Sequence, residues 1–166
     1  MRAILTYHAI DATGSVISVT PEDFAAHVSW AASGAVRVVS VEELLALPDS
    51  VNAVALTFDD ALASVATEAA PRLADHGLAA TVFVVSDHVG GDNRWDGDSD
   101  SRVPPQPVLG WDALGTLVDA GWCVGSHTKR HPRLTRCSDA ELEDELAGAS
   151  ATIAERLGAA PATLAY

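Results

Sequence analysis

Val51-Asn52-Ala53-Val54-Ala55-Leu56-Thr57-Phe58-Asp59-Asp60 is an apolar run that stops at two adjacent carboxylates. Its apolar residues are nearly continuous and do not alternate with polar ones, which is how a strand covered on both faces reads. Strands of that kind belong to parallel sheets, whose connections are right-handed crossovers. Similar short runs at residues 2–7, 36–39, 79–85, 122–125 and 162–166 are predicted as the other strands.

Amphipathic stretches with good start signals fill the gaps. Thr20-Pro21-Glu22-Asp23 offers a cap, a first-turn proline and early acids. Ser40-Val41-Glu42-Glu43 and Ser138-Asp139-Ala140-Glu141 both fit the capping box, in which two side chains satisfy each other's orphan amides. The last helix carries Leu142, Leu146, Ala149, Ile153 and Leu157 on one stripe. Gly77, Gly121 and Gly158 stand where helices should end, and Pro71 is expected to kink a helix beginning near Leu62. Strand-helix alternation of this kind predicts an α/β fold with its chemistry at the carboxyl ends of the strands.

The chain has 166 residues, enough for one domain with a real core, and its 48% hydrophobic and 20% charged residues are a globular composition. A formal net charge of -13 argues against nucleic acid as a partner. Lys129, Arg130, Arg133 and Arg136 form a basic cluster, read as a solvated loop and helix start in preference to a contact for an anionic substrate. The longest apolar stretch, residues 78–85, is far short of the roughly 20 needed to span a membrane. No signal peptide follows Met1-Arg2, so a cytoplasmic location is expected as written, and an extracellular or cell-envelope one if the true start lies upstream. Cys123 and Cys137 are then expected as free thiols.

Asp59 and Asp60 end one predicted strand, and Ser126-His127-Thr128-Lys129-Arg130-His131-Pro132 follows another. One carboxylate and two imidazoles make a divalent-metal site with room for water, so Asp60, His127 and His131 are the candidate ligands. Adjacent strand residues point to opposite sides, which leaves Asp59 for acid-base work. Either half alone is weak evidence, since an Asp-Asp pair is often a turn and a His-x-x-x-His pair can arise by chance. His8, ending the first strand, is a candidate for the same mouth. His27 and His76 are expected on helix surfaces, and His88 at the opening of a long loop.

That loop, residues 86–110, holds Asp87, Asp92, Asp96, Asp98 and Asp100. A connection so long is expected to be functional or disordered. Asp96-Gly97-Asp98-Ser99-Asp100 begins like a calcium loop, but Ser101 stands where a glycine is required and Pro107 where a bidentate glutamate belongs, so calcium is rejected. Trp95 is a candidate to stack on a sugar ring, or a partly buried anchor.

Thr57-Phe58-Asp59-Asp60 and Ser126-His127-Thr128-Lys129-Arg130-His131-Pro132 resemble the first two motifs of the polysaccharide deacetylases of the NodB-homology family, carbohydrate esterase family four. Leu5-Thr6-Tyr7-His8, Ala80-Thr81-Val82-Phe83-Val84 and Trp111 extend the resemblance over essentially the whole chain, residues 1–166, as a single domain. The resemblance implies a distorted (β/α) barrel and a hydrolase that removes N-acetyl groups, sometimes O-acetyl groups, from an N-acetylhexosamine polysaccharide or oligosaccharide. It implies Asp59 as catalytic base and Asp60, His127 and His131 as ligands to one divalent ion, Zn2+ or else Co2+, Ni2+ or Mn2+. Ser126 and Thr128 would support them, and His8, Trp95 and Tyr166 are the candidates for substrate contact. Ala61 departs from the glycine usual after the aspartate pair.

Leu164-Ala165-Tyr166 resembles the opening of the third family motif. The barrel is therefore expected to be incomplete at its carboxyl end, with no counterpart of the family's oxyanion donor and general acid. Weak turnover, an unpaired sheet edge at residues 162–166 and a tendency to self-associate would follow. Two rival readings stay open: a non-catalytic carbohydrate- or metal-binding remnant, and a hydrolase of cyclic amides or imides on the same scaffold. Sequence leaves the oligomeric state open.

Overall fold

The computed structural model describes residues 1–95 and 102–166, so Asp96, Asp98 and Asp100 of the rejected calcium loop lie outside the described residues. Strand β1 (Arg2–Tyr7) pairs in parallel along the whole of β5 (Ala53–Phe58), with Tyr7 opposite Phe58. The other edge of β5 is shared: β4 (Arg37–Val38) takes Ala53 and Val54, and β6 (Thr81–Val84) takes Thr57 and Phe58. Strand β7 (Cys123–Ser126) adds to β6 in the register that sets Val84 opposite Ser126. Every residue of β5 is buried, as its unbroken apolar run requires. The architecture is α/β around an all-parallel sheet.

One small strand pair is unexpected, and one expected strand needs correction. Ala9–Ile10 (β2) and Ser18–Val19 (β3) form a small parallel pair too short to leave a sequence pattern. Residues 162–166 do not form a strand; they meet β7 through the single parallel bridge of Leu164 with Ser126.

Helices α1 (Pro21–Ala32) and α2 (Val41–Ala46) start at Thr20 and Ser40, whose hydroxyls accept from the Asp23 and Glu43 amides. The second half of the Ser40 capping box is not made, because the Glu43 carboxylate pairs with Arg37 instead. Pro71 sits in the first turn of α3 (Ala70–Ala74), and the segment before it, Val65–Ala69, widens into a π-helical turn. A proline cannot donate to the preceding turn, and the helix widens there to accommodate it. His76 lies in the turn beyond α3. Helix α4 (Trp111–Asp119) follows the long loop, whose Asn93 is buried and accepts from the Gln106 amide.

Helix α5 (Asp139–Glu143) begins with the complete capping box of Ser138 and Glu141. It runs through a second π-helical turn, Asp144–Gly148, into α6 (Ala149–Leu157). The extra residue in that turn shifts the phase of the helix, and the fully buried line is Glu145, Ala149 and Ile153. Leu142, Leu146 and Leu157 of the expected stripe are only half-buried. Gly77, Gly121 and Gly158 have φ of 64°, 87° and 81°, the left-handed conformation expected of them. Both cysteines are free. Among the described residues no helix is long and apolar enough to cross a membrane.

Under the carboxyl ends of β1 and β5 lies an aromatic cluster. Tyr7 stacks on Phe58 with ring centres 5.4 Å apart and meets the edge of Phe24 at 5.2 Å. This packed layer is the floor on which His8, Asp59 and Asp60 stand.

Candidate metal and catalytic site

Because Tyr7 is opposite Phe58, the next residues of both strands, His8 and Asp59, emerge side by side. The Asp59 amide donates to the Tyr7 carbonyl at 2.9 Å and prolongs the ladder by one residue. The chain then turns sharply: Asp60 and Ala61 have φ of 68° and 51°. Left-handed backbone at residues with a β-carbon costs about 1–2 kcal/mol each and clusters at functional sites. The glycine that the family resemblance implies after the aspartates would take this conformation freely; Ala61 takes it under strain and is wholly buried.

At the end of β7 the His127 amide donates to the Val84 carbonyl at 2.8 Å, one more residue of ladder. The loop beyond holds another left-handed pair, Thr128 (φ 67°) and His131 (φ 62°). Thr128 Oγ1 accepts from the His131 amide at 3.0 Å and closes the loop from within. These four are the non-glycine residues with positive φ among the described residues.

The two ends converge. His127 Nε2 and His131 Nε2 are 3.2 Å apart, and Asp60 Oδ1 lies 3.5 Å from the first and 3.7 Å from the second. Asp60 Oδ1 is buried with no hydrogen-bond partner, although an orphaned carboxylate oxygen is costly. A tetrahedral ion with bonds of 2.0–2.2 Å has ligand–ligand edges of about 3.3–3.6 Å. Three donor atoms spaced 3.2, 3.5 and 3.7 Å apart, one of them otherwise unsatisfied, fit such an ion.

Electrostatics agree with the geometry. Burial, helped by the charge of Asp59, pushes the Asp60 carboxyl up to about 7. Burial brings His127 and His131 down to about 4, with His8 adding to the first shift and His127 to the second. Near neutral pH both imidazoles are therefore neutral and able to bind a cation. His127 Nδ1 donates to the Ala165 carbonyl at 3.0 Å, which fixes the tautomer and turns Nε2 toward Asp60. Thr163 and Ala165 are held there by two backbone hydrogen bonds to Ser126.

Asp59 Oδ2 stands 4.0 Å from His8 Nε2. Burial raises the Asp59 pKa, and His8 opposes that rise. His8 is lowered by burial, against the pull of Asp59. Trp95 stacks on His131 at 5.0 Å and meets the edge of His88 at 4.8 Å, so its ring faces are partly committed to the site itself. A cleft of about 710 Å³ opens beside His131, with Trp95, Arg133, Arg136 and Tyr166 in its lining. Tyr166 is 89% exposed. His27 is exposed, but its Nδ1 reaches the Tyr7 hydroxyl at 3.2 Å.

Sequence reading missed two parts. One is the Ala165 carbonyl, since a backbone atom leaves no mark in a motif. The other is Glu145, only 1% exposed, whose carboxylate accepts from the Lys129 and Arg130 amides at 2.9 and 2.8 Å and pairs with Arg130 at 2.7 Å. Its signal was an acid four and eight residues before Ala149 and Ile153 on the buried line. The basic cluster is correspondingly less solvated than expected, because Lys129 and Arg130 both also pair with Asp144 at 2.9 Å.

Comparison with known proteins supports the same reading. The candidate polysaccharide deacetylase YxkH of Bacillus subtilis strain 168 is 25% identical over 149 residues, which are 87% of this chain and 48% of YxkH. The chain thus spans about half the length of the curated relative it matches. Among solved structures, the Streptococcus pyogenes deacetylase PplD superposes with a TM-score of 0.82 at 22% identity, over 99% of this chain and 72% of PplD. IcaB from Ammonifex degensii gives 0.81 at 22% identity, over 99% of this chain and 73% of IcaB. These likenesses establish the fold. The sequence profile of the polysaccharide deacetylases matches residues 47–166, most of the chain and all of the converging aspartates and histidines, and the chain belongs to that family.

Proposed function

We propose that this protein is a metal-dependent deacetylase of N-acetylhexosamine polysaccharides or oligosaccharides, with Asp60, His127 and His131 as metal ligands and Asp59 as base. The observation that carries the proposal is the triangle of Asp60 Oδ1, His127 Nε2 and His131 Nε2, with a second carboxylate beside it. A divalent ion held there supplies Lewis acidity toward an acetamide carbonyl and makes water more acidic. Zinc suits the two imidazoles and one carboxylate.

The chain's own groups supply the rest. Asp59 is half-buried at the mouth and has a raised pKa, which suits a base that takes a proton near neutral pH. His8 opposes full neutralisation of that carboxylate, and its ring lines the same opening. His127, clamped through Nδ1, keeps Nε2 free of a proton. Trp95, stacked against His131, narrows the cleft in which a sugar would lie and shields one face of the site from water. Tyr166 offers an exposed ring in the lining of that cleft.

The test compares wild type, Asp59→Asn and a His127→Ala, His131→Ala double variant. Wild type and Asp59→Asn should each bind one equivalent of zinc, and the double variant should bind none. Acetate release from acetylated chitooligosaccharide should fall by about 10²–10⁴ in Asp59→Asn. Undiminished zinc in the double variant would sink the ligand assignment, and undiminished release in Asp59→Asn the assignment of the base. Hydrolysis of a cyclic ureide with none of the acetylated sugar would shift the substrate class.

A further inference from the structure

We infer that Glu145 is a positioning residue of the metal site: its buried carboxylate holds the backbone between His127 and His131 and so sets the distance between the two imidazoles. The inference rests on the proposed ligand assignment and adds a residue to it.

The loop between His127 and His131 is not held by its local sequence alone. It contains two left-handed residues that are not glycine, Thr128 and His131, so it lacks a conformation that its local sequence favours. Its carbonyls are engaged on one side, where Thr128 and Lys129 accept from the Ser86 and Asp87 amides at 3.3 and 3.0 Å. On the other side the Lys129 and Arg130 amides both point at one oxygen, Glu145 Oε2. A carboxylate accepting two backbone amides at 2.9 and 2.8 Å makes the same contact that caps a helix start, here supplied from a remote helix.

The carboxylate is itself firmly placed. It projects from the π-helical turn Asp144–Gly148, and its Oε1 is fixed by Arg130 at 2.7 Å. Gly148, three residues on, leaves room for the Asp144 carboxylate: a β-carbon there would sit 2.9 Å from Asp144 Oδ1, with Lys129 Cδ in ordinary contact at 3.5 Å. A buried charge is retained where its hydrogen-bonding capacity is used. Glu145 uses its capacity on the backbone between the two histidines, and its charge acts on His131 only as a minor influence beside burial.

Three variants of the 166-residue protein test this: Glu145→Ala, Glu145→Gln and Arg130→Ala. The readouts are zinc affinity by chelator competition, the visible spectrum of the Co2+ form, and amide exchange in metal-free protein. Glu145→Ala should weaken zinc by about 10–100-fold and alter the Co2+ bands. It should also speed exchange at Lys129 and Arg130 by about tenfold or more while His127, bonded to Val84, stays protected. The glutamine carbonyl can still accept both amides, so Glu145→Gln should stay within about threefold of wild type. Arg130→Ala, which removes the ion pairs with Glu145 and Asp144 and leaves the backbone amide, should do the same.

A merely structural role predicts a lower melting temperature for Glu145→Ala with unchanged zinc affinity and Co2+ spectrum, and that result would overturn the inference. If Glu145→Ala does not fold, Glu145→Gln decides: retained affinity and protection support amide anchoring, and a hundredfold loss overturns it. Exchange is read without metal, so a wild type that binds no zinc refutes the ligand assignment, while exchange at Lys129 and Arg130 still decides whether Glu145 holds the loop.

Discussion

The turn after β5 and the loop after β7 pose one structural problem and solve it by different means. Each must place a proposed metal ligand on left-handed backbone: Asp60, followed by Ala61, in the first, and His131, three residues after Thr128, in the second. The turn after β5 is held by what lies next to it. Its strand is buried along its length, the Asp59 amide continues the ladder with β1, and the Ala61 carbonyl accepts from the Leu109 amide at 2.8 Å. The loop after β7 hangs on remote side chains and backbone: Glu145 for two amides and Ala165 for His127 Nδ1. Strain stored by burial is stable against most single changes. Strain held through side chains, here the Glu145 carboxylate and the Thr128 hydroxyl, is open to single substitutions.

The largest expected effect that sharpens this contrast concerns protons. Asp60 belongs to the buried turn and has its pKa raised to about 7, whereas His127 and His131 are lowered to about 4. Between about pH 4 and pH 7 the metal-free site therefore holds a carboxylic acid and two neutral imidazoles, and an incoming cation must displace the Asp60 proton. Zinc affinity should rise about tenfold per pH unit from pH 5 to pH 7 and level off above that. Calorimetry in two buffers should find about one proton released at pH 6 and few at pH 8. Two protons at pH 6 would mean that at least one of the histidines is protonated there, against the lowered imidazole pKa values.

A smaller effect is expected at Gly125. A β-carbon there would fall 2.3 Å from the Phe83 ring and 2.9 Å from Thr163 Oγ1. Phe83 is buried and cannot swing away, so Gly125→Ala should cost about 1–3 kcal/mol in a urea titration. It should also loosen the segment that carries the Ala165 carbonyl. A silent substitution would show that the end of β7 is slack where the structure has it tight.

The smallest effect separates the two strained sites directly. Ala61→Gly removes a left-handed penalty of about 1–2 kcal/mol, and loses a comparable amount in unfolded-chain entropy and one buried methyl, so stability should stay within about 1 kcal/mol. Thr128→Gly removes the same kind of strain but also the hydroxyl that accepts from the His131 amide, and should be the worse by about 1 kcal/mol. Equal effects would erase the distinction between burial and side-chain support.

Much of this molecule can be read from local chemistry. The bounds of β1 emerge as predicted, and those of β5 nearly so, because a run buried on both faces has no polar interruption. The Ser138 capping box is complete because both of its residues are in the helix that they cap. The Ser40 box fails for a non-local reason, since Arg37 outbids a backbone amide for the Glu43 carboxylate. The convergence of Asp60, His127 and His131 was legible because each follows a strand end. Glu145 was not, since a π-helical turn moved it onto the buried face and its partners lie 15 and 16 residues away.

The hydrogen bond from His127 to the Ala165 carbonyl has a consequence in time. The two partners are 38 residues apart, so as the chain is synthesised both histidines exist well before the carbonyl that selects the imidazole tautomer. Until then either ring nitrogen of His127 can hold the proton. The arrival of Ala165 decides it, so the tautomer of this imidazole is set by a residue made 38 positions after it.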